Sequence, residues 1–300
     1  MNLKQLASFI RWRIIAWRYL YALLFNIKNS SNSIAVSSVL LNPPFDQLEH
    51  YQNSLEKTGI ISLKEFIGQQ QIVILKQQLA LLVTRYTQDA RNASERGRKP
   101  FVNILDLQEI SKKKAVLANQ LANVCFNPSL LYLLDSYLGP GFVLDSIQLL
   151  YSFSADSEIK ESQYWHKDYG SSKSIHLFLP VSNMVEDSPF TVMSPQASKA
   201  VGKRPWVRRI SPTTMTKILG NSSNETNLLI DSDIVALDPA KCYHRYSSAR
   251  DHAALFITYN ARPLFHHQDN ALLLSAPHLR QIVLENHDMS EDLVNQILLT

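Results

Sequence analysis

The residues best equipped for chemistry lie in Gln163-Tyr164-Trp165-His166-Lys167-Asp168-Tyr169, whose centre is a His-x-Asp pair. In an extended segment residues i and i+2 project from one face, so His166 and Asp168 can grip a single metal ion. One imidazole and one carboxylate are two of the three ligands with which 2-His-1-carboxylate oxygenases hold Fe(II). The third must be a histidine brought alongside by the fold, and His244, in Lys241-Cys242-Tyr243-His244-Arg245-Tyr246, is the candidate. Among nine histidines one chance His-x-Asp is unremarkable, and the chain carries a decoy, His267-Gln268-Asp269. The decoy is followed only by His278 and His287, in what reads as a polar, turn-like tail. The first pair has strand-like segments around it and a distant histidine inside one of them, and that context selects it.

With His166, Asp168 and His244 on iron, three coordination positions stay open. A keto acid such as 2-oxoglutarate fills two of them through its 1-carboxylate and 2-oxo oxygens. Its far carboxylate then needs a fixed cation, best the planar fork of an arginine. Arg250, six residues after His244 and opening the next strand-like run, is placed for that role, with His252 near enough to assist. Arg245, the immediate neighbour of His244, is expected on the opposite face. Tyr164 and Trp165 read as packing against the metal layer, and His176 as a strand residue facing core or solvent.

These side chains need a scaffold, and 300 residues suffice for a substantial core. A hydrophobic fraction of 45% and a charged fraction of 19% mark a globular rather than a disordered chain. A net charge of +4, without runs of Lys and Arg among aromatics, gives no nucleic-acid groove. Two cysteines, Cys125 and Cys242, make no disulfide framework, fit a reducing, cytoplasmic setting, and read as small core residues.

Residues 1–38 are expected to form an N-terminal amphipathic helix and a Ser/Asn-rich linker, and 39–300 the catalytic domain. Leu3, Leu6, Ile10, Ile14, Trp17, Tyr21 and Leu24 recur at helical spacing, with Lys4, Arg11 and Arg18 on another face. Arginines interrupt the apolar run, so it is neither a signal peptide nor a membrane-spanning helix. Two readings stand: peripheral contact with the inner face of a membrane through residues 1–28, or packing on the domain or on a second copy.

Further on, helices are expected over Phe45–Lys57, Ile67–Arg91, Ala115–Val124 and Pro128–Leu138, with an edge strand at Gly59–Leu63 and an exposed loop at Asn92–Pro100. From Gly141 the texture turns to strands: Phe142–Phe153, Ser174–Val181, Phe190–Met193, Leu228–Leu237 and Ala253–Tyr259. Several short strands without helices between them favour an antiparallel double-sheet barrel. The insertion Lys199–Asn227, with a short helix near Thr213–Leu219, is long enough to form a lid. The fold class is therefore α+β, a double-stranded β-helix of jelly-roll type with flanking helices.

The same residues resemble the phytanoyl-CoA dioxygenase family over Leu55 to Tyr259. Gly59-Ile-Ile-Ser-Leu-Lys-Glu-Phe66 is similar to that family's opening strand, and Pro128-Ser-Leu-Leu-Tyr-Leu-Leu-Asp-Ser-Tyr-Leu-Gly139 to its helix before the barrel. Gln163-Tyr-Trp-His166-Lys-Asp168 and Cys242-Tyr-His244-Arg resemble its two metal motifs, and Ser188-Pro-Phe-Thr-Val-Met-Ser-Pro195 the strand between. Departures are Ser188 for the family's usual glycine, the missing histidine of a Pro-x-Ser-His turn, and an interval of six rather than nine to eleven residues to the arginine. The resemblance implies Fe(2+) held by His166, Asp168 and His244, 2-oxoglutarate as cosubstrate, and hydroxylation of a small-molecule, lipid or lipid-linked glycan substrate. The competing readings are a metal-dependent barrel enzyme without 2-oxoglutarate, such as an isomerase or hydrolase, and an inactive membrane-associated interaction module.

Overall fold

The computed structural model describes residues 33–36, 48–95, 101–106, 115–154, 163–168, 170–182, 190–201, 209–220, 225–228, 234–246, 251–264 and 276–299, together with positions 17, 20, 23 and 24. Arg250, the decoy pair and most of the N-terminal segment lie outside the described residues.

The helices form where apolar side chains recur every three or four residues. After α1 (Leu48–Thr58) and the short strand β1 (Ile60–Ser62), the long α2 (Gln69–Glu95) buries Ile72, Leu75, Leu79, Leu82, Val83, Tyr86 and Ala90 along one stripe. Helix α3 (Ala115–Cys125) leads to α4 (Pro128–Leu138), whose ends are written in the sequence. The Asn127 side chain accepts the Leu130 N–H at 3.1 Å, Pro128 occupies the first turn, and Gly139 leaves the helix at φ 90°. No helix among the described residues is long and apolar enough to cross a membrane.

The remaining strands are β2 (Phe101–Asn103), β3 (Val143–Ser152), β4 (Ser174–Ser182), β5 (Phe190–Met193), β6 (Glu225–Leu228), β7 (Val235–Leu237), β8 (His244–Tyr246) and β9 (His252–Asn260). They build a six-stranded sheet in the order β1-β7-β4-β9-β3-β2 and a three-stranded sheet β6-β5-β8, with antiparallel pairing throughout. An antiparallel bridge between His166 and His244 adds the segment around His166 to the small sheet beside β8. From β3 onward the chain thus alternates between two facing sheets as a jelly roll does, and the fold is the expected α+β double-stranded β-helix.

Period-2 alternation sorts the strand residues into layers. From β4, Ile175, Leu177 and Leu179 face the large core beneath the helices, while Phe178 faces the interior between the sheets. From β9, Ala253, Leu255, Ile257 and Tyr259 join the first layer, Ala254 and Phe256 the second. Both faces of this sheet are covered, so every residue of β9 is buried. Behind the small sheet a third cluster gathers Trp165, Met193, Ala197, Val201, Ile210, Met215 and Tyr243 around α5 (Pro195–Ala200) and α6 (Pro212–Leu219).

Three expectations are corrected. Leu228–Leu237 is not one strand: β6 and β7 belong to different sheets. The loop expected at Asn92–Pro100 begins later, because α2 runs on to Glu95; the rest of that expectation, residues 96–100, lies outside the described residues. The tail read as polar and turn-like holds α7 (Ala276–Asn286) and α8 (Glu291–Leu298), whose Leu279, Val283, Leu293, Val294 and Ile297 enter the main core.

Gly59, between α1 and β1, has φ +76°, and a Cβ built there meets the Cys242 Sγ at 2.2 Å. Gly59→Ala therefore meets backbone strain and overpacking together, each worth about 1–3 kcal/mol. The urea midpoint is expected to fall accordingly; an unchanged midpoint would show that this junction has slack.

Candidate metal centre

The site is assembled where the chain crosses between sheets. Residues 163–168 pair with β8 through His166. His166 donates its N–H to the His244 carbonyl at 3.0 Å and accepts the His244 N–H at 2.9 Å. A residue pair exchanging both hydrogen bonds places its side chains on one face, and the two imidazole centroids lie 4.3 Å apart. Trp165 and Arg245, each one residue removed, point the other way, with the Arg245 guanidinium 5.0 Å from the Trp165 ring centroid. Arg245 is thus on the face expected of it, and Trp165 is fully buried as expected of a packing residue.

The carboxylate of Asp168 completes the cluster. His244 Nε2 stands 3.4 Å from Asp168 Oδ2 and His166 Nε2 3.9 Å from Asp168 Oδ1. The ligand atoms of His166, Asp168 and His244 all lie within 4.8 Å of one another. A first-row metal takes imidazole nitrogen at about 2.0–2.1 Å, so donors at right angles sit about 3 Å apart. Shifts of about an ångström per side chain close the set on one ion.

The tautomers suit a metal. His166 Nδ1 is 2.8 Å from the Tyr164 carbonyl oxygen, and His244 Nδ1 is 3.2 Å from that of Cys242. A carbonyl can only accept, so each Nδ1 carries a proton, which leaves Nε2, on the Asp168 side, as the ring atom that can ligate a metal. Burial, and secondarily the neighbouring His244, pushes the His166 pKa down to about 4 against the pull of Asp168, so this ring is neutral at physiological pH. Burial raises the Asp168 carboxyl, but the hydrogen bond from His244 and the charges of His166, His244 and His176 outweigh it and hold the group below its ordinary value. The result is an anionic oxygen donor beside two imidazole nitrogens, the composition Fe(II) sites use.

Supporting residues that sequence reasoning missed surround this set. The Asp168 N–H donates to the Pro239 carbonyl at 3.0 Å, which ties the loop to the turn before β8. That turn is held by buried Asp238, whose Oδ1 accepts the N–H groups of Ala240 and Lys241 at 2.9 Å while Oδ2 accepts the Tyr137 hydroxyl at 2.6 Å. Asp238-Pro239 is a turn-forming dipeptide, a signal that could have marked it. His176, expected to face core or solvent, lies inside, with Nδ1 3.9 Å from Asp168 Oδ2.

Beside His244 the interior is walled by rings. Phe190 lies 5.7 Å from His244 and stacks on Phe178 at 4.8 Å, and Tyr246 packs on Phe190 at 4.9 Å. His252, suggested as an aid to cosubstrate binding, is buried and stacked on Tyr246 at 5.1 Å. The Tyr246 hydroxyl is buried with no hydrogen-bond partner among the described residues. The structure leaves Arg250 outside this account; its neighbour Asp251 is fixed by Arg91 at 2.9 Å, the Ser154 N–H at 2.8 Å and the Tyr151 hydroxyl at 3.1 Å. Cys125 and Cys242 are buried and free, their thiols pushed up to about 12 chiefly by burial, as befits core residues rather than nucleophiles.

No protein-family model matches the sequence, and no curated protein matches it. Solved structures similar in course include EctD from S. alaskensis with 2-oxoglutarate and 5-hydroxyectoine, at 12% identity over 77% of this chain and 86% of that one, TM-score 0.47. HygX from Streptomyces hygroscopicus, with nickel and 2-oxoglutarate bound, is 12% identical over 73% of this chain and 88% of its own, TM-score 0.46. The epimerase SnoN with Fe3+, alpha ketoglutarate and nogalamycin RO is 12% identical over 71% and 83%, TM-score 0.40.

Burial lowers the pKa of His166 and of His176 to about 4, whereas an unfolded chain holds its histidines near 6.5. The unfolded chain therefore takes up protons first as pH falls, so the stability these rings contribute is complete above pH 6.5 and lost toward pH 4. In the metal-free protein the urea midpoint should drop steadily between those values. A flat midpoint from pH 7 to 4.5 would mean the rings are not buried neutral.

Proposed function

We propose that the protein is an Fe(II)- and 2-oxoglutarate-dependent dioxygenase of the phytanoyl-CoA dioxygenase type. One observation carries the reading: two proton-fixed imidazoles and one carboxylate converge between the sheets of a jelly roll, their Nε2 and oxygen atoms turned to a common point. Fe(II) with 2-oxoglutarate, once bound, supplies oxidation of a C–H bond by dioxygen. The chain's own part is to hold three donors on one face, to keep His166 and His244 in the metal-binding tautomer, and to exclude water with the rings of Phe178, Phe190, Tyr246 and Phe256. The orphan hydroxyl of Tyr246 fits a carboxylate oxygen of the keto acid, and Arg250 remains the proposed cation for its far end.

A metal-dependent barrel enzyme without a keto acid is the second reading. It is favoured by the apolar character of Ala254 and Phe256, the β9 side chains that face the interior after His252. Purified protein given Fe(II) and 2-oxoglutarate should form succinate, and His166→Ala or Asp168→Ala should remove that turnover while leaving the fold intact by circular dichroism. Metal binding measured by calorimetry, with no heat from 2-oxoglutarate and no succinate, would select the second reading instead.

We further propose that residues 1–28 rest on the inner face of an anionic membrane, which would bring the enzyme to a lipid or lipid-linked substrate. Trp17, Leu20, Leu23 and Leu24 lie on helix and are exposed, within about a third of a helical turn's circumference. The same 28 residues hold Lys4, Arg11, Arg13, Arg18 and Lys28 and no acidic residue, a charge that suits anionic headgroups. Sedimentation with phosphatidylglycerol vesicles should capture the protein, and Trp17→Glu with Leu20→Glu should release it. Equal binding of the double variant, or self-association in place of vesicle binding, would overturn this placement.

A further inference from the structure

The donor cluster has a third histidine beside it whose position neither metal binding nor packing accounts for. Along β4, Ile175 and Leu177 turn to the helix-side core, so His176 and Phe178 turn inward between the sheets. An imidazole in that apolar setting is costly unless its polar edge finds a partner. The ring stands edge-on to Phe256, with centroids 6.3 Å apart and an interplanar angle of 85°, which fixes its plane. Only 14% of the side chain is exposed, and Nδ1 faces Asp168 Oδ2 at 3.9 Å.

His176 is not in the set of three whose ligand atoms come within 4.8 Å of one another. The two oxygens of Asp168 also have different surroundings: Oδ1 faces His166, and Oδ2 lies between His244 and His176. A carboxylate with both oxygens on one ion would take up a coordination position that the proposed reaction needs open. We infer that His176 is a positioning residue, which takes one oxygen of Asp168 in a hydrogen bond through Nδ1–H and leaves the other alone for the metal. The inference rests on the proposed metal reading and adds to it a determinant of coordination number. Outer partners of this kind typically change metal affinity 10–100-fold when removed.

The test uses the full-length protein and Co(II) as the metal, read by titration and by visible absorption. His176→Leu removes the donor and keeps an apolar filler. His176→Asn keeps an N–H near the place of Nδ1. The leucine variant should bind Co(II) about 10–100-fold more weakly than wild type and with an altered absorption band, and the asparagine variant should restore both toward wild type. A urea titration of each variant separates folding from binding, because lost stability alone does not move the band of the folded complex. A leucine variant with wild-type affinity and spectrum overturns the inference. So does an asparagine variant as weak as the leucine one, which would assign the ring a packing role against Phe256. If wild-type protein takes up no Co(II), the metal reading itself falls, an outcome distinct from either of these.

Discussion

Two backbone hydrogen bonds, exchanged between His166 and His244, are the constraint on which the site depends. They join positions 78 residues apart in the chain and fix which way both imidazoles face. A register slip of one residue at this bridge would turn Trp165 or Arg245 inward in place of a histidine. The bonds alone are weak guardians, since each contributes only about 0.5–1.5 kcal/mol net. Trp165 on the opposite face is the stronger anchor: it is fully buried, covered by Ile210, Met193 and Met215, and truncating such a residue costs about 3–5 kcal/mol. Its own backbone pairs with Ile210 in both directions at 2.9 Å. The insertion that brings Ile210 and α6 thus serves the metal face by clamping the strand from behind.

The supports of Asp168 are of another kind. Among the described residues Asp168 has no strand partner, and its N–H donates to the Pro239 carbonyl. Asp238 makes that turn rigid by spending both carboxylate oxygens on local N–H groups and on the Tyr137 hydroxyl from α4. Lys173 reinforces the same corner, with Nζ 2.9 Å from the Tyr137 carbonyl and 4.9 Å from its ring centroid. A helix well outside the barrel is in this way connected to a ligand inside it.

What could be read from the sequence followed from strong local rules. The His166–Asp168 spacing and the place of His244 in a strand needed only the period of two, and Arg245 followed from it. Helix α4 was legible to the residue because Asn127, Pro128 and Gly139 punctuate it. The β6–β7 break was marked by Asp231-Ser232-Asp233 between two short apolar runs, but nothing local says that the second run joins a different sheet. Helices α7 and α8 were hidden by their shortness and by the polar Asn286–Ser290 between them, although Leu279, Ile282, Val283 and Leu293, Val294, Ile297 keep helical spacing. His176 escaped for a different reason. A strand pattern gives two faces without saying which is the barrel interior when both are apolar, and both faces of this sheet are covered.

Exposure across the donor set is uneven, and that asymmetry bears on access. The side chains of His166 and His244 are 11% and 5% exposed, that of Asp168 is 42%. Among the described residues, solvent therefore meets the centre at the carboxylate, while the histidine side is closed by Phe190, Phe178 and Tyr246. An ion bound here would present its accessible side past Asp168, toward β4 and His176, and its sheltered side to the rings and to the Tyr246 hydroxyl. The sheltered side is lined by aromatic rings and by the Tyr246 hydroxyl, the accessible side by Asp168 and His176. The division of the site into a sheltered half and an open half is thus set by two facts of the strand pattern: that Phe190 of β5 and Tyr246 of β8 stand beside His244, and that Asp168 lies beyond the His166–His244 bridge.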